Sequence, residues 1–168
     1  MSATDEVHKI ESNPPIEQHR NIIRIGHIDE WWHFHNISID YDLTVPPQTA
    51  LASHTGSGDQ SISGLQLNCA AATGSGTITV EHIDADIRLR SGTEDLKIDS
   101  VASLNAKTGR GDIHATYVGG AIIASTGSGR IEIEQVTAGN ALIDAASGDV
   151  TLRGVKRIGS QPPAAKFA

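Results

Sequence analysis

Apolar positions recur along residues 56–158 in a nearly fixed register, three to a repeat, each set following a glycine-rich turn. Each of the three positions forms a column when it is followed from one repeat to the next, and most members of the columns are Ile, Leu or Val. The distances along the chain between successive members are nearly equal, and they are the same in all three columns. The first column is Gln60, Ile78, Leu96, Ile113, Ile131, Val150; the second is Ile62, Val80, Ile98, Ala115, Ile133, Leu152; the third is Leu65, Ile83, Val101, Val118, Val136, Val155. A repeat of about 18 residues that returns in this way predicts a solenoid.

The spacing inside each repeat predicts a strand, a corner and a second strand. The first two apolar positions flank a mostly polar residue, which is typical of a strand with one buried face. The step of three to the third position predicts a bend. A less regular second strand is expected to follow, with a register that drifts by a residue or two between coils, over 65–67, 87–89, 104–106, 121–123 and 141–143.

Each repeat begins at a short turn that contains glycine, first at 56–59 and then at 74–77, 90–93, 109–112, 127–130 and 146–149. A coil this short must reverse direction within a few residues, and stacked coils lie about 4.8 Å apart. Glycine meets both demands because it has no Cβ. The turns therefore indicate stacking geometry before any ligand.

These patterns predict an all-β, single-domain β-solenoid (β-helix) of about six coils with an N-terminal strand cap, each coil being as long as one repeat. We expect residues 1–19 to be a flexible lead and 159–168 a C-terminal tail. We expect residues 20–158 to form the solenoid domain, with the cap and opening strands in 20–55 and the repeats in 56–158. Strands are predicted at 22–25 and over 37–45, the latter ending before Pro46.

Composition agrees with a thin solenoid, because only 4% of the 168 residues are aromatic. The net charge of −7 argues against nucleic acid or an anionic membrane as a partner. No segment is apolar enough for membrane insertion, and no signal peptide is recognisable. Cys69 lies among alanines on a predicted strand, so we expect it to be a small buried side chain.

Acidic residues at the turns are the first candidates for chemistry. Asp59, Asp112 and Asp149 occupy one turn position, but Thr77, Thr93 and Arg130 are expected at the coils between them. Catalysis would need neighbouring acids, and calcium would need more oxygens than one per turn. A structural role is favoured, and we predict no catalytic, cofactor-binding or metal-binding residues.

An aromatic stretch in the predicted cap is the candidate interaction surface. It consists of Trp31, Trp32, His33, Phe34 and His35. The two histidines alone do not complete a metal site. Contact with a partner is the expected role of this stretch.

The run Ile-Asp-Tyr-Asp-Leu-Thr-Val-Pro at 39–46, followed by the Ser-Gly-Asp turn at 57–59, resembles a bacterial adhesin-like domain family of unknown function. The resemblance covers about residues 20–158 and implies a right-handed β-solenoid in an extracellular or cell-envelope setting. It supplies no catalytic residues. Because this chain has no recognisable signal segment, a cytoplasmic location stays open.

Three functional hypotheses follow. The leading one is a non-enzymatic surface or scaffold module that binds a protein or glycan. A carbohydrate-active β-helix enzyme is the rival, and it requires clustered acidic groups in a groove. Self-association through the solenoid ends is the third, because a stacked sheet has two open edges.

Overall fold

The computed structural model describes residues 8, 12–20, 22–26 and 40–154. The chain divides into two units, Met1–Thr44 and Val45–Ala168, which are described separately. The described strands are β1 (Ile16–His19), β2 (Ile22–Ile25), β3 (Leu51–Thr55), β4 (Gln60–Ser63), β5 (Cys69–Thr73), β6 (Ile78–Ser91), β7 (Leu96–Thr108), β8 (Ile113–Val118), β9 (Ile122–Ser128), β10 (Ile131–Val136), β11 (Ala141–Ser147) and β12 (Val150–Arg153).

The first unit contains an antiparallel pair, β1 with β2, joined at Arg20, which has a φ of 54°. The strand expected at 22–25 is therefore present. The strand expected over 37–45 is wrong for its described part, because residues 40–45 lie in no strand. Tyr41 and Leu43 alternate with polar residues but stay exposed, and alternation becomes a strand only where an edge is available for pairing.

The second unit is a β-solenoid, as predicted. Its strands pair in parallel, each with the strand that lies one repeat further along the chain. Each coil has two arms joined by two corners. The first arm comprises β4, β8, β10, β12 and the first parts of β6 and β7, and the second comprises β3, β5, β9, β11 and the last parts of β6 and β7.

The first arm has the predicted register. Gln60 pairs with Ile78, Ile78 with Leu96, and the column continues unbroken to Val150. The apolar members in the middle coils are fully buried, at 0% exposure for Ile78, Leu96, Ile113 and Ile131. Gln60 is the exception to the pattern, and its Nε2 donates to the backbone oxygen of Ala72 at 2.7 Å.

The second arm is more regular than expected. Its strands pair in one register: Leu51 pairs with Cys69, Cys69 pairs with Ile87, and the column continues through Leu104, Ile122 and Ala141. The spacings along the chain between these residues equal the corresponding spacings in the first arm. The predicted drift is wrong, because the strand in the first coil is Cys69–Thr73 rather than 65–67. Leu65 is buried at the corner itself, and Leu67 is 46% exposed.

The two corners differ in how they accommodate repeat length. The corner that follows the first arm carries a left-handed residue in each coil, and the set is Gly64, His82, Ser100, Tyr117, Gln135 and Gly154. This is the bend predicted by the step of three. The segment that joins this bend to the second arm is one residue shorter than usual before Leu104 and one residue longer before Ala141. The glycine turns have the same length in every coil.

A column of buried hydroxyls closes the core beside the glycine turns. Four of them donate to a backbone oxygen of the preceding coil's turn: Thr73 to Gly58, Ser91 to Gly76, Thr108 to Glu94 and Thr126 to Gly111, at 3.1–3.3 Å. Sequence reasoning missed this column, although a Thr or Ser directly before the first glycine of each of these turns was its visible signal. The remaining core is one cluster of aliphatic side chains from both arms, and it includes Cys69 as expected.

Candidate functional site

The acidic turn column is built from strand ends, and its membership differs from the prediction in one coil. The position before the first apolar residue holds Asp59, Thr77, Asp95, Asp112, Arg130 and Asp149. The coil-three member is therefore Asp95 and not Thr93. Asp95 and Asp112 consequently lie on neighbouring coils, contrary to the expectation that no two of the acids would be adjacent.

Three of these carboxylates have structural hydrogen bonds. Asp59 Oδ1 accepts from the backbone N–H of Thr77 at 2.8 Å, and Asp95 Oδ1 accepts from that of Asp112 at 2.8 Å. Asp112 Oδ1 accepts from the backbone N–H of Arg130 at 2.6 Å. Each acid thus accepts a hydrogen bond from the backbone N–H at the same position of the next coil, which gives the column a structural role.

A shallow depression of about 190 Å³ lies over this part of the first arm. Asp95, Asp112 and Glu132 line it together with His114 and Arg130. His114 Nδ1 is 3.4 Å from Glu132 Oε2, and Arg130 is 3.9 Å from Asp149. Because Lys97 and Arg130 share the lining with the three acids, the depression has no single sign of charge.

Two further side-chain pairs lie on the first-arm surface. Thr116 Oγ1 donates to Asp99 Oδ1 at 2.6 Å, and Arg153 lies 3.6 Å from Glu134. Within the described ranges, no group of three potential His, Cys, Asp or Glu ligands is placed to hold a metal ion. This surface is an array of polar ladders.

The second arm has a different outward surface, divided into zones along the stack. Ala70 and Ala72 form an alanine shelf on β5. The next two strands carry a basic cluster, which consists of Arg88, Arg90 and Lys107.

Beyond the basic cluster, β9 and β11 carry a pair of exposed apolar side chains. Ile123 is 45% exposed and Leu142 is 66% exposed, and the two lie side by side in register. This zoning was not predicted, because it depends on which second-arm residues of neighbouring coils pair.

The predicted aromatic surface, Trp31, Trp32, His33, Phe34 and His35, lies outside the described residues. Its role stays a prediction. Cys69 is described and is 2% exposed, and burial raises the pKa of its thiol to about 11. A thiol in that state is neutral near pH 7, so it is a core side chain and not a nucleophile.

No family model, curated protein or solved structure matches the chain. In the described part of the chain, no helix is long and apolar enough to cross a membrane.

Proposed function

We propose that the chain is a non-enzymatic binding or scaffold module that presents solenoid surfaces to a glycan or protein. One observation carries the proposal: outward polar side chains form ladders on hydrogen-bonded strands, and the acids best placed for chemistry are engaged in capping backbone amides. Such a surface offers many fixed contacts along its ladders, whereas a catalytic site is concave with convergent polar groups that are free to act on a substrate.

The rigidity of the surfaces supports a binding role. Outward residues alternate with fully buried neighbours, as Arg88 does with Ile87 and Leu89, at 2% and 0% exposure. A side chain anchored in this way loses little backbone entropy on binding, which favours affinity. An adhesin-like role at a bacterial surface, extracellular or in the envelope, belongs to this same proposal.

A combined retention and turnover assay tests the proposal. The full chain is run through gels containing acidic or neutral polysaccharides, and the same mixtures are assayed for new reducing ends. We expect retarded migration with at least one polysaccharide and no increase in reducing ends. Release of reducing ends in step with protein concentration would contradict the proposal.

The depression on the first arm favours one alternative, a carbohydrate-active enzyme. It brings Asp112 and Glu132 to one site, although Asp112 also holds a backbone amide. If turnover is seen, Glu132→Gln and Asp112→Asn identify the site, since an amide oxygen at 112 still accepts the bond from Arg130. Loss of turnover in both variants, with unchanged thermal unfolding, would establish the enzyme.

A further inference from the structure

The basic cluster is held on two adjacent strands of the second arm. Arg88 pairs in register with Asn105, and Arg90 pairs with Lys107. Residues two apart on a strand share a face about 6.7 Å apart, and neighbouring strands are about 4.8 Å apart. The patch therefore contains four outward residues, two on each of two neighbouring strands, and these are three cations and one amide.

These three cations lie together without an ion pair to any described residue, whereas Lys97 and Arg110, which also have none, stand singly. Arg130 and Arg153 each lie within 4 Å of a carboxylate, whereas no described residue forms an ion pair with Arg88, Arg90 or Lys107. Like charges directly opposite each other destabilise a sheet. Arg90 and Lys107 are placed in this way on a chain whose net charge is −7.

We infer that the basic cluster binds the acid groups of an anionic polysaccharide, an inference that rests on the proposed binding function. An arginine fork can hold a carboxylate or sulfate by two hydrogen bonds, and Lys107 adds a second charge. The Asn105 amide can bond to sugar hydroxyls. A bound acid group relieves the repulsion between the cations.

The surroundings of the cluster favour a slender chain over an extended anionic surface. The alanine shelf is in register beside Arg88 and Arg90, so a sugar ring can lie on the methyl groups against the taller side chains. Asp86 lies two residues before Arg88, and Asp144 lies on the second strand beyond Lys107. A membrane or a duplex would press its anions onto these acids as well, whereas a polysaccharide with spaced acid groups avoids them.

Binding is tested with heparin as the sulfated probe, polygalacturonate as the carboxylated probe and dextran as the neutral control, at low and high salt. We expect the full chain to bind the acidic probes only, with affinity that falls as salt rises. Arg90→Gln and Lys107→Gln should each weaken binding by about fivefold. Lys97→Gln, which removes an equal charge from the first-arm surface of the same strand β7, should leave it unchanged.

Several outcomes would overturn the inference. Equal weakening by Lys97→Gln would indicate general electrostatics, and unchanged binding in all variants would place the glycan elsewhere. Stronger binding to phosphatidylserine vesicles or to duplex DNA, lost in the cluster variants, would assign the cluster to an extended anionic surface. Absence of binding to both acidic probes would also overturn it, while cleavage of a probe would instead contradict the proposed non-enzymatic function.

Thermal unfolding of Lys107→Glu provides a second readout that a purely structural role would not produce. Without polysaccharide, this variant should have a higher Tm than the natural chain, because it replaces a repulsion across from Arg90 with an attraction. With heparin, the Tm of the natural chain should rise and that of the variant should not. A heparin-induced rise of equal size in both proteins would overturn the inference.

Discussion

Stacking imposes its strictest demands at single residues of the glycine turns. A Cβ at Gly109 would lie 2.3 Å from the backbone oxygen of Gly92, and one at Gly127 would lie 2.5 Å from that of Gly109. No real Cβ approaches backbone so closely, so the preceding coil excludes any side chain there. Gly56 occupies the same column in the first coil and meets nothing within 4 Å.

The first prediction compares two alanine substitutions in this column. Gly109→Ala should lower the free energy of unfolding by about 1–3 kcal/mol, because the coils must separate to admit the methyl group. Gly56→Ala should change it little or raise it by up to about 1 kcal/mol, since its backbone is unstrained and the unfolded chain loses entropy. Urea denaturation measures both, and equal destabilisation would show that stacking is not the constraint.

Cys69 supports a second prediction at the residue scale. Burial raises its pKa to about 11, so the folded state keeps the thiol neutral at a pH where the unfolded chain ionises. The stabilisation is complete below the unfolded thiol pKa of about 8.5 and is lost as pH rises through the folded value. Between pH 8 and 11 the unfolding free energy should fall by about 3 kcal/mol more than in Cys69→Ala. Parallel curves for the two proteins would contradict this.

At the scale of elements, the two corners divide the structural work. The glycine turn keeps one length in every coil and is tied to the preceding coil through the buried hydroxyls. The left-handed corner precedes the segment where the differences in repeat length are accommodated. The register of both arms is therefore set at the glycine turn, and the varying length of the segment after the left-handed corner does not disturb it.

The hydroxyl column leads to a prediction at this scale. Thr108 Oγ1 donates to Glu94 and accepts from the backbone N–H of Gly111, so Thr108→Val leaves a buried amide without its partner. We expect a loss of about 1–3 kcal/mol in unfolding free energy. Thr108→Ser should recover most of it, and Thr79→Val on the outward side should be nearly neutral. Chemical denaturation of the three variants tests whether the hydroxyl, rather than side-chain volume, matters.

At the scale of the whole molecule, stability is expected to depend on position in the stack. Coils in the middle have neighbours on both sides, and a solenoid behaves approximately as a sum of coil and interface contributions. Ile133 is fully buried, whereas its register partner Leu152 in the last described coil is only half-buried. Self-association through the solenoid ends, the third hypothesis from the sequence, would cover such a coil.

A matched pair tests this position dependence. Ile133→Ala should lower the global unfolding free energy by about 2–5 kcal/mol. Leu152→Ala should cost clearly less and should speed amide exchange in β12 while leaving β8 protected. Hydrogen exchange with mass spectrometry distinguishes the two, and equal effects on β8 would contradict a stack of separable coils.

Sequence alone determined the solenoid, the coil count and the first-arm register, because a short apolar alternation that recurs once in every coil is a local signal. It placed the first-coil strand wrongly at 65–67 and missed the role of Asp95, because each depends on which residues of neighbouring coils pair. Only the tertiary structure decided how charge is distributed. Pairing between coils placed Arg88, Arg90 and Lys107 together on one arm of a chain whose net charge of −7 had argued against anionic partners.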